Sequence, residues 1–371
     1  MYQQKRNKLK KEVLVSGASI AGLSIAYWMN RSGYKVTVVE VAPAPRMGGT
    51  AVDLQGSTID VVKRMGIYEP LKSGALNLET IVFKDTNDAT VGSIAVERKG
   101  EEIEIERSEL VRILLAQLKG EVAFVFNNSI TGLDETADNI MATFKDGSGK
   151  AFDLVFGCDG THSGVRKIWF GDESEFSHFL GAYFSISIVE KLLVAQNTIQ
   201  FYNVPGKVYM LNAYKHKTDI VFCFLSEEEI PYDYRDVGQQ RKIILEQFEE
   251  QGWRTTGLLK EVADAENFYF DKFCQIKMPS WTKGRVALVG DAAYCASPAA
   301  GRGGSLAMDG AAALADALQV HDGDYELAFQ DYNRNLRPLI EEVQADAANN
   351  VREKLIPSTE EGIQQMRLGG F

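Results

Sequence analysis

Three stretches of this chain carry small and acidic residues at spacings that suit a nucleotide. The first is KEVLVSGASIAGLSIAYWMNRSGYKVTVVE, residues 11–40. Gly17 lets the chain leave a strand sharply, and Gly22 lets a helix pack close to the sheet. Between them Ser19, Ile20 and Ala21 open the helix, whose first N–H groups and positive dipole end favour a pyrophosphate. Glu40 stands about 20 residues on, at the tip of the next strand, where a carboxylate can accept from both ribose hydroxyls. It would also repel a ribose phosphate, so a plain adenosine ribose fits better. Ser19 stands where the fingerprint has its middle glycine, and its Cβ holds the backbone slightly further from the phosphates. The alternative is an ordinary core strand–helix–strand turn; the flanking elements and the acid at this distance favour a dinucleotide.

The second stretch is GCDGTHSGVR, residues 157–166. Asp159, at a strand end among glycines, can approach a sugar or diphosphate. Ser163 can cap the following helix, and Arg166 can bind back to Asp159. Taken alone, this stretch reads more readily as a tight turn with a cap. The third is GDAAYCASPAAGRGG, residues 290–304. A strand delivers Asp291, which can bind a ribityl hydroxyl. Pro298 fixes the loop, and Gly301, Gly303 and Gly304 expose backbone N–H groups at a helix start. Such a nest can hold a flavin pyrimidine carbonyl and stabilise negative charge on the reduced ring.

The elements around these loops follow from periodicity. Short β-branched runs at 13–15, 34–39, 154–156 and 286–289 read as buried strands of a mainly parallel sheet. Helices are expected at 57–65, at 107–118 with Ser108 as cap, at 241–252 and 257–265, and at about 304–320 and 324–354. The last carries Leu327, Phe329, Tyr332, Leu336, Leu339 and Val343 as its packed positions. Residues 78–106 alternate apolar and polar, with turns at Asn87-Asp88 and Lys99-Gly100. Further strands read at 122–126, 129–133 and 139–144, with Asp146-Gly147 as a hairpin turn. Residues 180–225 become rich in aromatics and read as an antiparallel sheet.

The expected fold class is therefore α/β: a Rossmann-like nucleotide-binding domain with a mainly parallel sheet, a second domain with an antiparallel sheet, and a long C-terminal helix. The expected boundaries are 1–77, 104–170 and 280–322 for the first domain, 78–103 and 171–279 for the second, and 323–371 for the helical segment.

The chain has 371 residues, 45% apolar and 25% charged, which is ordinary for a soluble globular protein. A net charge of −11 argues against nucleic acid as the main partner. The acidic runs at 101–106 and 227–229 read as solvated faces. Cys158, Cys223, Cys274 and Cys295 form no CxxC pair, and the His residues show no ligand spacing, so buried thiols in a reducing compartment are expected. No continuous apolar run is long enough for a membrane helix, and the basic residues before the first strand read as a frayed tail. The sequence reads as a cytoplasmic protein.

In this order the three stretches resemble the single-component (group A) flavoprotein aromatic hydroxylases of the para-hydroxybenzoate hydroxylase-like fold. These carry GxGxxG with a downstream Glu, an internal DG and a GDAAH-x-x-x-P-x-x-G-x-G loop. Within that group the sequence is most similar to the tetracycline destructases, through AYWMNRSGY, APRMGGTAVDLQG, MGIYEPL, QIKMPSWTKGR and GDAAY. The resemblance implies an FAD-dependent monooxygenase. NADPH or NADH would reduce the flavin, O₂ would add to give a flavin C4a-hydroperoxide, and OH would pass to an aromatic or enolic carbon of a small aromatic or polyketide-like substrate.

The resemblance also assigns roles. Gly17, Ser19 and Gly22 hold the FAD pyrophosphate, and Glu40 the adenosine ribose. Arg46 and Asp53 lie by the flavin and its reductant, while Arg107 meets the FAD phosphates or ribityl chain. Asp291 holds the ribityl chain, and Pro298 to Gly304 face the ring. Tyr294 stands where the family has His, with little consequence expected because that imidazole is not the chemical engine. No catalytic side chain or metal is implied, and a monomer or weak dimer is expected. Two other readings are a flavin-dependent halogenase, whose Trp-x-Trp-x-Ile-Pro signature is absent, and a non-hydroxylating flavin module that senses redox state or binds a ligand.

Overall fold

The computed structural model describes residues 10–97, 100–249 and 252–369. The basic tail before Lys10, the Lys99 half of one expected turn and the end of the expected 241–252 helix lie outside the described residues. Among those described, no helix is long and apolar enough to cross a membrane.

Two large sheets organise the chain. The first has the strand order Thr282–Lys283, Val286–Leu288, Leu154–Gly157, Glu12–Ser16, Lys35–Glu40, Ala123–Phe126. All its pairs are parallel except the short outer one between Thr282–Lys283 and Val286–Leu288. Val13, Leu14, Val15, Val155 and Phe156 are wholly buried, as expected for central parallel strands covered on both faces. The helix Ile20–Arg31 packs on this sheet, and the helix Gly303–Val320 packs on that helix. A three-stranded sheet, Ile130–Glu135, Ile140–Phe144 and Gly149–Phe152, adjoins it. Its last strand escapes the alternation test because it is short and lysine-bearing.

The second sheet runs Asn267–Ile276, Ser177–Val189, Lys217–Leu225, Lys207–Tyr214, Thr198–Val204, Thr80–Lys84, Thr90–Ala95. It is antiparallel apart from one parallel pair, Thr198–Val204 with Thr80–Lys84. Its two faces differ. The outer face, with Tyr183, Tyr209, Phe222 and Phe270, is covered by the helices Val237–Phe248 and Thr255–Asp264. The inner face, with Phe184, Phe201, Val221 and Phe273, meets Ala299 and the C-terminal residues Val351, Ile356 and Met366.

Several local expectations change. The helix after residue 106 starts at Arg107 itself, with Glu106 as its N-cap and no side-chain cap bond, so Ser108 does not cap. Glu106 is not a solvated acid: it is 7% exposed and bridges Lys215 and Lys217 at 2.8 Å each. Burial raises its carboxyl, but the two ammonium groups outweigh this and hold it at about 2. The last helix, Tyr325–Asn350, ends in a π-turn at Val351–Leu355, and its Leu327 is exposed. A strand at Ala51–Leu54, paired with Ile103–Glu106, and a helix at Tyr68–Ser73 appear where the sequence analysis names no element.

Candidate functional site

The three chemical stretches meet at one end of the parallel sheet. Gly17 has φ +101°, and a Cβ there would fall 2.5 Å from the Cys158 carbonyl oxygen and 3.2 Å from the Cα of Asp159. A Cβ on Gly22 would overlap the carbonyl oxygen of Gly17. The glycines thus set the first helical turn directly on the loop and bring the Asp159 loop against it. Ser19 is the N-cap of this helix but makes no side-chain bond to the first turn, which leaves that turn's N–H groups to an anion. Glu40 is buried at the strand tip. Its two oxygens accept from the Ala18 and Ala42 amides at 2.8 and 2.9 Å, which fixes the carboxylate beside the loop.

Ser19 has a partner of its own. Its hydroxyl accepts from Arg107 Nη2 at 2.7 Å, while Arg107 Nη1 donates to the carbonyls of Gly48 at 2.6 Å and Arg46 at 3.4 Å. A Cβ on Gly49 would lie 2.7 Å from Arg107 Cδ. One guanidinium therefore ties the glycine-rich turn to the 46–49 loop. Burial and the neighbouring Arg46 lower the Arg107 pKa, and Asp291, Tyr269 and Glu40 oppose this. Asp53 is held through its backbone: Ser305 Oγ donates to its carbonyl at 2.9 Å. The Arg46 side chain is exposed.

The second stretch behaves as a capped turn that also packs on the first. Asp159 accepts from Ser163 Oγ at 2.5 Å, the Val165 amide at 3.0 Å and Ser16 Oγ at 3.4 Å. Burial raises its carboxyl, and the Ser163 and Val165 bonds pull the other way. Ser163 accepts from the Arg166 amide at 3.0 Å, so the cap forms as expected. Arg166 does not bind back to Asp159. Its wholly buried guanidinium instead donates to Ala292 O at 3.0 Å, Thr161 O at 2.5 Å and Glu173 at 3.0 Å, locking the second stretch to the third.

In the third stretch Gly290, at φ +68°, brings three elements together: a Cβ there would lie 3.0 Å from Ala21 Cβ and 3.6 Å from Ala307 Cβ. Asp291 opens the short helix Asp291–Tyr294. It is open to the cleft yet crowded by protein, and this desolvation lifts its carboxyl to about 6 against the pull of Arg107. Ser297 adopts φ +83°, a strained value for a residue with a Cβ, and leads into Pro298. Gly301 is left-handed at φ 62°, and the helix Gly303–Val320 follows. A Cβ on Gly301 or Gly303 would meet nothing within 4 Å, whereas one on Gly304 would overlap Val52. Gly301 and Gly303 therefore face open space, and Gly304 packs on the strand that carries Asp53.

Tyr294 has a larger part than the sequence suggested. Its hydroxyl lies 3.2 Å from that of Tyr332, which donates to Leu288 O at 3.0 Å, and its ring meets Trp281 edge-on. A Cβ on Gly310 would overlap the Tyr294 hydroxyl. Tyr294 thus ties the Asp291 helix to the long C-terminal helix.

Opposite these loops stands the inner face of the second sheet. Ile186, Ile188, Ile199 and Met210 are half-buried there, and Asn267 and Tyr269 are exposed. Cross-strand register joins them: Ile186 pairs with Tyr269 and Val221, and Val221 with Met210. None of these wall positions was named by the sequence, because which strands neighbour one another is not written in their alternation. The 48–50 loop reaches this wall. Asn267 Oδ1 is 3.8 Å from where a Gly48 Cβ would be, and Thr50 Oγ1 donates to the buried Asp219 at 2.7 Å. Tyr214 donates to the same carboxylate at 2.8 Å, and burial lifts Asp219 to about 6.

The FAD binding domain family matches residues 10–334 of this chain. A flavin-dependent monooxygenase of Legionella longbeachae is 35% identical over 342 residues, 89% of this chain and 86% of that protein. An uncharacterised protein of Mycobacterium tuberculosis is 34% identical over 352 residues, 92% of this chain and 94% of its own. The crystal structure of tetracycline destructase Tet(51) superposes with a TM-score of 0.88 at 34% identity, covering 97% of this chain and 95% of that one.

Proposed function

This chain belongs to the FAD binding domain family and is an FAD-dependent monooxygenase, and on that premise we propose that it hydroxylates a planar aromatic or enolic molecule of the tetracycline type. The observation that carries this reading is the wall opposite the loops. It offers a contiguous half-open apolar patch around Ile186, Ile188, Met210 and Ile199, and the lysine at an inward position of these strands, Lys217, is paired with Glu106 at 2.8 Å. A carboxylate-bearing substrate would meet that lysine already neutralised by Glu106, whereas a flat neutral polycycle buries its area on the patch. The likeness to Tet(51) supports the same class.

The residues present suit FAD. Gly17, Ser19, Ile20, Ala21 and Gly22 would take the pyrophosphate on the uncapped first turn, with Glu40 accepting from the ribose. Arg107 would neutralise phosphate charge, with Arg46 and Asp53 on the loop and strand beside the ring. Asp291 would accept from the ribityl chain, and Asp159 would shape the turn that backs Gly17. The loop from Pro298 through Gly301 and Gly303 to Gly304 would present N–H groups to the ring. FAD held there would supply the activated oxygen, with NADPH or NADH as its reductant. The chain's own task is to orient the substrate and keep water out. With this goes a cytoplasmic protein acting as monomer or weak dimer.

The test mixes the purified yellow protein with NADPH or NADH, O₂ and a panel of phenols, quinolones and tetracyclines. A tetracycline should both accelerate reductant oxidation and gain one oxygen atom by mass spectrometry. A panel in which tetracyclines do neither, while another class does both, would overturn the substrate assignment.

A further inference from the structure

One polar group of the wall has its hydrogen-bond direction fixed from behind. Tyr269 lies on the inner face, 49% exposed, with its ring 5.6 Å from that of Phe184. Its hydroxyl donates to Asp271 Oδ2 at 2.8 Å. Asp271 is 4% exposed, and its Oδ1 accepts from Tyr232 and from the Lys272 amide, each at 2.8 Å. Across the domain boundary, His162 of the second stretch places Nε2 3.5 Å from Asp271 Oδ2 and Nδ1 2.9 Å from Glu173. Burial disfavours the charged imidazole, but Asp271 and Glu173 outweigh it and lift His162 to about 9. Burial likewise raises Asp271, yet His162 and the two tyrosines carry it below the usual carboxylate range. At neutral pH, therefore, Asp271 holds no proton and every group facing it is a donor.

A phenol has a single proton to give. Tyr269 gives its proton to Asp271, so only lone pairs remain for the cleft. We propose that Tyr269 is a specificity-determining residue, an obligate acceptor that selects substrates presenting a phenol or enol O–H at this edge of the wall. A substrate ether or carbonyl there would set lone pair against lone pair. Asp271 is a positioning residue, since it acts through Tyr269. The 48–50 loop approaches the same edge at Asn267, two positions away along the strand, so the selected hydroxyl lies on the flavin side of the wall. This inference rests on the wall being the substrate surface. Its test reads binding alone, so it can fail or succeed independently of which panel member is oxygenated.

The flavin-loaded enzyme is titrated with 2-naphthol and with 2-methoxynaphthalene, following the visible absorbance of the bound flavin. The wild type should prefer 2-naphthol roughly tenfold, the factor one neutral hydrogen bond commands. Tyr269→Phe should erase the preference, weakening 2-naphthol while 2-methoxynaphthalene binds no worse than to the wild type. Asp271→Asn, whose amide can donate to the Tyr269 oxygen and release the phenolic proton, should also erase it without loss of flavin. A wild type with no preference, including one that does not bind 2-naphthol, overturns the proposal. So does a preference that survives in Tyr269→Phe.

Discussion

The glycine-rich loops and the seven-stranded wall achieve precision by opposite means. Around Gly17, Gly22 and Gly304 the atoms are so close that a single added carbon collides with backbone or with a packed side chain. The geometry there is set by exclusion, and it leaves backbone N–H groups as the working surface. Around Tyr269, Asp271 and Asp219 the backbone is sheet, and geometry is set by hydrogen bonds between side chains, within one strand, between neighbouring strands, and from Tyr232 and Thr50 outside the strands. A surface built by exclusion tolerates almost no substitution; one built by side-chain bonds can be retuned one residue at a time. A region that holds an unvarying cofactor suits the first design, and a region that meets substrate suits the second.

That contrast can be broken most sharply at Gly22. Gly22→Val should strip the flavin, lowering the ratio of flavin to protein absorbance at least tenfold, because its side chain collides with the Gly17 carbonyl. Full flavin in that variant would refute the steric account. Arg107→Ala comes next. It removes bonds to Ser19, Gly48 and Arg46, and FAD dissociation constants from fluorescence quenching should rise about tenfold or more. On the wall, Met210→Ala should leave flavin content unchanged and raise the KM of a turned-over substrate by about tenfold. A wall substitution that empties the flavin site instead would erase the distinction between the two regions.

Smaller effects sharpen it. The folded-state pKa of His162 lies at about 9, above the roughly 6.5 of an unfolded histidine. The folded state thus binds the extra proton between these values. The stability this confers is whole below pH about 6.5 and is lost as pH rises through about 9. Melting temperature should fall across that window in the wild type and fall less in His162→Asn; parallel curves would remove His162 from the account. Smallest is Tyr294→Phe, which loses the hydroxyl contact to Tyr332. About 1 kcal/mol, or roughly 2–4 °C in melting temperature, is expected, with flavin retained.

The same contrast explains what the sequence could disclose. The parallel strands, the helices after them and the loops between announce themselves, since glycine, proline and aspartate at fixed offsets state local backbone needs. Ser163 as a cap is equally local and was legible. Glu106 was not: its partners Lys215 and Lys217 lie 109 and 111 positions further along, so an acidic run looked like solvated surface. Arg166 was misread for a similar reason, because a local carboxylate was the nearest candidate while the fold offered the carbonyl of Ala292, 126 positions away. The wall residues stayed hidden because alternation reveals that a strand has two faces, not which face looks at the cofactor loops. Tyr294 looked like a mild departure until Gly310 and Tyr332 were seen to be shaped around its hydroxyl.

The placement of Val286–Leu288 beside Leu154–Gly157 bears on how the protein comes into being. The nucleotide loop at Gly17 to Gly22 is made well over 200 residues before the strand Val286–Leu288 that completes its side of the sheet, and before Tyr294 and Tyr332, which support Asp291. Pairings of such long sequence separation form slowly. A nascent chain therefore has an incomplete flavin cleft until the strand Val286–Leu288 and the Asp291 loop behind it have been made.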